Sequence, residues 1–278
     1  MQKELIYCRM APSLGALEDT PEKVWGTPEY EGDKDAPTVF FGLYGLPDFY
    51  TLWRHKGKKW VFWAGTDITH FKNGYWLDEK GSIRVTPLPL ALWINKECES
   101  WVENEVERIA LEAIGIDAKV CPSFLGHMQK FAVSYQPSEK PKLYTSVSGD
   151  NFELYGWDKI PELARANPDI EFHCYGNTTE PPFQLAYRTN IHLHGRVPKE
   201  QMNREIKKMQ GALRLTEFDG FSEILAKSVL WAQWPVSLIE YPHMLKVSEI
   251  GKLKSLRQPN YAGRHHYLNK INKFPWRK

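Results

Sequence analysis

Residues 214 to 237 read RLTEFDGFSEILAKSVLWAQWPVS. A short apolar run opening at Ala212 ends in the polar segment TEFDG. An apolar helical pattern follows, and then Pro235-Val236-Ser237, suited to another strand. Asp219, Gly220, Phe221 and Ser222 are therefore expected on the loop and first turn before the helix. Unpaired backbone N–H groups and the helix dipole favour an anion there, and a diphosphate would fit. The same residues also suit plain helix capping with no ligand, Asp219 or Ser222 serving as N-cap. Local physics leaves both readings open.

Working outward, the chain alternates short apolar runs with amphipathic ones, the mark of an α/β protein. Strands are expected at Leu5 to Cys8, Thr38 to Leu43, Lys59 to Ala64 and Ala118 to Cys121, with a helix from Ser100 to Ile114 stopped by Gly115. SYQPSEKPK, 134 to 142, concentrates Pro, Ser and charge and marks a boundary. Beyond it the alternation restarts: strands at 143–147, 170–175, 191–193, 212–215 and 236–239, with helices at 158–166, 199–210 and 222–232. Two βα-rich halves imply two open sheets. Ligands in such sheets sit beyond the C-terminal strand ends, which singles out Gly65 to Asp67, Ser146 to Asp150, Gly176 to Thr179 and Thr216 to Ser222.

The 278 residues are 42% hydrophobic and 25% charged, ordinary for a globular chain. A net charge of +2 does not imply a nucleic-acid partner. The charge is uneven, however. From His243 onward, Lys246, Lys252, Lys254, Arg257, Arg264, Lys270, Lys273, Arg277 and Lys278 face one acid, Glu249. Such a segment could meet phosphates or an anionic membrane surface, or simply form a solvated face. Cys8, Cys98, Cys121 and Cys174 are scattered without zinc spacing and read as reduced thiols. No window is apolar enough to span a bilayer, and the N-terminus lacks a signal-peptide pattern, so a cytoplasmic location is expected. Dinucleotide G-x-G-x-x-G and Walker signatures are absent. The one Asp-x-Asp triplet, Asp33 to Asp35, has no strand leading into it.

PDIEFHCYG at 168–176, followed by NIHLHGRVPKEQMNREIKKMQGALRLTEFDGFSEILAKSVLWAQWPVS at 190–237, resembles the C-terminal domain of retaining GT-B glycosyltransferases. His194-Gly195-Arg196-Val197 match the family's Gly-x-Val loop, Asp219-Gly220-Phe221 its acid-Gly-Phe turn, and Pro235-Val236 its last strand. The N-terminal half matches more loosely, through FWAGTDI at 62–68 and the Gly115-Ile116 turn. The resemblance implies a GT-B architecture of two Rossmann-like domains facing a cleft. It places an acceptor-side domain at 1–136, a nucleotide-sugar domain at 137–260, and at 261–278 a helix crossing back to the first domain.

By the resemblance, Asp219 is the first acid of an E-x7-E motif near the transferred sugar, and Gly220, Phe221 and Ser222 face sugar and phosphate. The second acid falls at Lys227. An ammonium cannot accept the ribose hydroxyl bonds that a Glu accepts, although it can neutralise phosphate. Where the family has Arg and Lys after the first strand of this domain, the chain reads SVSGDNFELYGWDK, with Ser148 and Gly149 in the turn. Compensation of a leaving diphosphate then falls to Arg196, Arg214 and Lys227. Asp67 suits either a general base or acceptor-orienting role, or capping of the helix it opens. His192 and His194 share a strand face, but two histidines without a third ligand are a weak metal signal, and the family generally needs no metal.

The expected activity is hexosyl-type transfer from a nucleotide diphosphate sugar to an acceptor hydroxyl, retaining and metal-independent, with the donor as co-substrate and no cofactor. The acceptor stays open among carbohydrate, lipid-linked glycan and, as in phage-type DNA glycosyltransferases, hydroxymethylated bases in modified DNA. A non-catalytic GT-B sugar-nucleotide or glycan-binding protein is the reading from a different class.

Overall fold

The structure, a computed structural model, describes residues 5–14, 19–73, 87–182 and 189–277. The chain divides into two compact units. One comprises 1–127, 218–221 and 270–278, the other 128–217 and 222–269.

The first unit holds a five-stranded parallel sheet built from β1 (Tyr7–Met10), β2 (Thr38–Phe41), β3 (Lys59–Phe62), β4 (Cys98–Val102) and β5 (Ala118–Val120), lying side by side in sequence order. β2 and β3 are buried at every position, the continuous apolar pattern of a strand covered on both faces. On one face lie α2 (Leu46–Arg54), α3 (Thr66–Asn73), α4 (Pro87–Glu97) and α5 (Glu105–Glu112) around Phe40, Leu52, Val61, Trp63 and Val102. The other face is closed differently. α1 (Pro21–Trp25) brings Trp25, and the last residues of the chain bring Phe274 and Trp276, onto Phe41, Trp60 and Phe62. Phe274 and Trp276 stack at 4.6 Å, 6° from parallel. Asn272, at φ 57, anchors this segment by donating to Phe124 O (2.8 Å) and accepting from Phe124 N (2.9 Å). The chain does return to its first unit, but through the non-helical residues after α9 (Tyr261–Lys270).

One sequence expectation is corrected. Residues 100–102 belong to β4 instead of opening a helix. Val102, Val106, Ile109 and Ala113 have helical spacing, yet Val102 is a fully buried strand residue and Ile109 is 55% exposed. The helix starts one turn later, where Asn104 caps it by accepting from Glu107 N.

The second unit contains β6 (Lys142–Ser146), β7 (Glu171–Tyr175), β8 (Ile191–Gly195), β9 (Gly211–Arg214), β10 (Val236–Ser237) and β11 (Leu245–Lys246). All pair parallel in the order β11-β10-β9-β6-β7-β8. Renumbered within the unit this is 6-5-4-1-2-3, the strand order of dinucleotide-binding folds, whose direction of progression reverses between β6 and β9. The first unit lacks such a reversal among its described strands. α6 (Ile160–Ala166) adjoins β7, while α7 (Lys199–Ile206) and α8 (Glu223–Leu230) precede and follow β9. Trp157, Ile160, Phe172, Leu213 and Val236 form its core.

Gly211 makes the centre of this sheet possible. A Cβ there would stand 2.1 Å from Trp234 O and 3.2 Å from Leu143 Cδ2. Gly211→Ala is therefore expected to destabilise this unit by about 3 kcal/mol, at the upper end of overpacking costs. Thermal unfolding followed by intrinsic tryptophan fluorescence would check it.

Among the described residues, no helix is long and apolar enough to cross a membrane. The basic C-terminal stretch is largely paired: Lys246 with Glu240, Lys252 with Glu249, Lys254 with Asp169 and Arg257 with Glu139, while Arg264 donates to Leu230 O and Phe131 O.

Candidate functional site

In the second unit the reversal of strand order places two loops side by side, one after β6 and one after β9. Gly156 lets them touch: it has φ 71, and a Cβ on it would lie 2.4 Å from Leu215 O. Ser148 and Gly149 belong to the first loop, Arg214 ends β9 and Glu217 lies in the second loop. The Arg214 guanidinium lies 4.4 Å from the Tyr155 ring centroid, and Glu217 pairs with Lys159. Ser148 and Gly149 are exposed, in a turn whose Gly149 and Asp150 both have positive φ.

That turn is braced. The Asp150 carboxylate accepts from Thr178 N (2.8 Å) and Thr179 N (3.1 Å) and from both threonine hydroxyls. These bonds hold its carboxyl below the usual range. They also fix the loop after β6 to the loop after β7, where Gly176 (φ 93) passes against Val147 O. The result is a rigid, small-residue surface at the C-terminal strand ends.

Arg196 is exposed and follows β8 directly, after Gly195 at φ 68. Three strand spacings separate β8 from β9, about 14 Å at ordinary spacing, comparable to an extended nucleoside diphosphate. Ser222 caps α8, its Oγ accepting from Leu225 N at 3.5 Å.

Lys227 is buried and already partnered. Its ammonium lies 2.7 Å from Glu223 Oε1 and donates to Asn203 Oδ1 at 3.0 Å. Those two contacts engage two of its three N–H donors. Glu223, one turn earlier and exposed, also lies 3.9 Å from Lys199. A carboxylate thus stands beside the position where the family motif has one.

Asp219, Gly220 and Phe221 belong to the first unit, together with Phe218, which packs against its helical-face core. Asn104, the cap of α5, donates from Nδ2 to Asp219 O at 2.7 Å. Glu103 Oε2 accepts from Phe221 N at 2.8 Å, and Glu103 Oε1 accepts from Ser123 N and Ser123 Oγ. Glu107 Oε2 accepts from Glu103 N at 2.7 Å. A Cβ on Gly220 would lie 1.9 Å from Glu103 Oε2. One on Gly65, the left-handed residue after β3, would lie 3.3 Å from Gly220 N.

Asp67 is fully buried, and its two oxygens accept from Leu43 N, Ala64 N and Ile68 N, each at 2.9 Å. This is the capping alternative, and it leaves the carboxylate turned to backbone instead of toward a substrate. Burial lifts its pKa to about 6 against the pull of those amides. Burial likewise raises Glu103 to about 8 and Glu107 well above the usual carboxylate range, the Glu103 charge adding to the effect on Glu107. The first unit therefore keeps three buried carboxyls around the segment that carries Asp219. Sequence reading found one of them. Glu103 and Glu107 looked like the polar face of a helix, and only Asn104 before an acid-rich run signalled a special N-terminus.

No protein-family model matches the chain, and no curated protein matches it in sequence. Solved structures do. Sucrose-phosphate synthase from Thermosynechococcus elongatus superposes with a TM-score of 0.57 at 9% identity, over 84% of this chain and 69% of that one. TarM gives 0.54 at 14% identity, over 88% and 53%. The pneumococcal O-GlcNAc transferase GtfA, in complex with UDP and GlcNAc, gives 0.53 at 10%, over 85% and 54%. The fold is that of the GT-B glycosyltransferases. The chain spans about half the length of TarM and GtfA.

Proposed function

We propose that the chain is a glycosyltransferase that binds a nucleotide diphosphate sugar on its second unit and transfers the sugar to an acceptor hydroxyl with retention. The observation that carries this reading is the braced, glycine-bearing surface at the strand-order reversal, with Arg214 at one side and Arg196 three strands away. Ligands of open α/β sheets bind at such a reversal. UDP is the first donor nucleotide to test, since the matched GtfA structure holds UDP.

In the transfer, the bond from the anomeric carbon to the β-phosphate oxygen breaks and one to the acceptor oxygen forms. The diphosphate leaves with the bonding pair, and one of its oxygens takes the proton that the acceptor hydroxyl gives up. Cationic groups aimed at the departing diphosphate would supply a large share of the stabilisation, and here they are arginines of the chain, with no metal required at that point. Glu223 is assigned to the ribose hydroxyls in place of the acid missing at position 227. Four free cysteines suit a reducing compartment, which supports a cytoplasmic location.

The test is calorimetric titration with UDP and UDP-sugars, together with GDP and ADP counterparts, followed by a donor-hydrolysis assay. Arg196→Ala, at an exposed position, is expected to weaken nucleotide binding about tenfold while leaving thermal stability unchanged. Failure of every nucleotide to bind would overturn the proposal. Tight binding without any hydrolysis or transfer would point to the non-catalytic binding protein.

A further inference from the structure

β7 and β8 run parallel in a register that sets His173 beside His192. Glu171 and His173 are two residues apart on β7 and so share one sheet face with His192 and His194. The ligand-capable atoms of Glu171, His173 and His192 all lie within 4.8 Å of one another. His173 Nε2 stands 3.6 Å from Glu171 Oε2. Among the described residues, Nε2 of His173 and Nε2 of His192 are buried without a hydrogen-bond partner, and the His173 residue is only 8% exposed. Two orphaned imidazole nitrogens in one cluster ask for an explanation, because each forgoes about 1–3 kcal/mol of solvation.

The outer contacts supply one. His173 Nδ1 lies 2.8 Å from His194 Nε2, so a single proton sits between those rings. With that proton on His173, its Nε2 is a bare lone pair facing the Glu171 carboxylate. Metal-ligating histidines are oriented in this way by a partner on the other ring nitrogen. His194 is held in turn. It stacks on Tyr175 at 4.3 Å, 6° from parallel, and Tyr175 donates its hydroxyl to Glu205 Oε2 at 2.8 Å.

We infer that Glu171, His173 and His192 form a binding site for a divalent transition metal of the zinc class, clipping the edge strand β8 to β7. Two imidazoles and a carboxylate are a donor set that zinc accepts, with a water completing four-coordination. His173 and His192 are stacked at 4.7 Å, 25° from parallel, so their rings must tilt to bring both nitrogens onto one ion. Lys140 and Lys142 each pair with Glu171 at 3.2 Å, but their side chains are largely solvent-exposed and can turn outward as the metal takes over the carboxylate. Glu171 and His173 lie toward the start and middle of β7, away from the strand ends assigned to the donor, so the site does not depend on the sugar-transfer reading.

The experiment uses the full chain, freed of metal with a chelator, titrated with cobalt(II) followed by its visible absorption and with zinc followed by calorimetry. One equivalent is expected to bind with a Kd of about 1–10 µM. His173→Gln and His192→Gln should each weaken it at least about tenfold, while His265→Gln on α9 should leave it unchanged. Zinc X-ray absorption of the unsubstituted protein should show two imidazole nitrogens, a readout independent of whether any variant folds. Absence of stoichiometric binding, or fewer than two imidazoles on the bound zinc, or undiminished affinity in both folded variants, would overturn the assignment.

Discussion

Gly220→Ala is expected to free the Asp219 turn from the first unit and, where the sugar-transfer proposal holds, to lower kcat/KM by about a hundredfold or more. The missing Cβ position lies 1.9 Å from Glu103 Oε2 and 3.0 Å from Glu103 Cδ. A clash with the free end of a long side chain would be relieved by a rotation. Glu103 has no such freedom, because its carboxylate is buried and held by Ser123 and by Phe221 N. If Glu103 moves, those bonds to a buried carboxyl are lost, and each buried group left unsatisfied costs about 1–3 kcal/mol. If the turn moves instead, Asn104 loses Asp219 O and Phe221 N loses Glu103. The second outcome shifts the turn that carries Asp219, and the first removes its anchor; a misplacement of about 1 Å commonly costs a hundredfold in rate. Hydrogen exchange reads the structural half of the prediction without any substrate: the Phe221 amide should lose its protection. An amide as protected as in the parent would show that the turn tolerates the side chain and that Glu103 is not its anchor.

That turn also shows how far the sequence could be read. The loop, the helix after it and the Pro235-Val236 strand were all legible, because each has a local signal: a polar break, an apolar helical face, a Pro followed by a β-branched Val. The compact unit to which the loop belongs was not. Asn104 and Glu103 reach it across more than a hundred residues, and no periodicity encodes such a pairing. Lys227 divides in the same way. Its ion pair with Glu223 is an i,i+4 relation readable from sequence, whereas Asn203 depends on how α7 is placed. β4 was misread because Val102 and Ile109 have helical spacing, and only burial separates a strand residue from an exposed helix residue there. In the histidine cluster, the shared strand face of His192 and His194 was visible, but the meeting of His192 with Glu171 and His173 is a matter of strand register.

The buried acids of the first unit make its stability pH-dependent in an unusual direction. Glu103 and Glu107 have folded pKa values raised above the ordinary carboxylate value of 4.5, Glu103 to about 8. The folded chain therefore holds protons that the unfolded chain has released, and its stability falls as pH rises through the folded pKa values. Other groups act in other windows. His173, lowered to about 4, favours the fold increasingly up to the ordinary histidine value of 6.5 and not beyond. Asp67, raised to about 6, has finished titrating by pH 7. The buried thiols, raised from 9.0, act only at higher pH. Between about pH 7 and pH 8.5 the two glutamates dominate, and thermal stability is expected to decline across that window. Glu107→Gln keeps the shape of the protonated side chain and its acceptor for Glu103 N but cannot ionise. It should match the parent below about pH 4.5, where both states hold the proton, and its advantage should grow by about 3 °C or more between about pH 7 and pH 8.5, the shift that about 1 kcal/mol produces in a chain of this size. A parent protein that gains stability over that window, or a Gln variant that falls as steeply, would mean that these carboxyls are ionised in the fold and that the Asp219 turn rests on a charged pair.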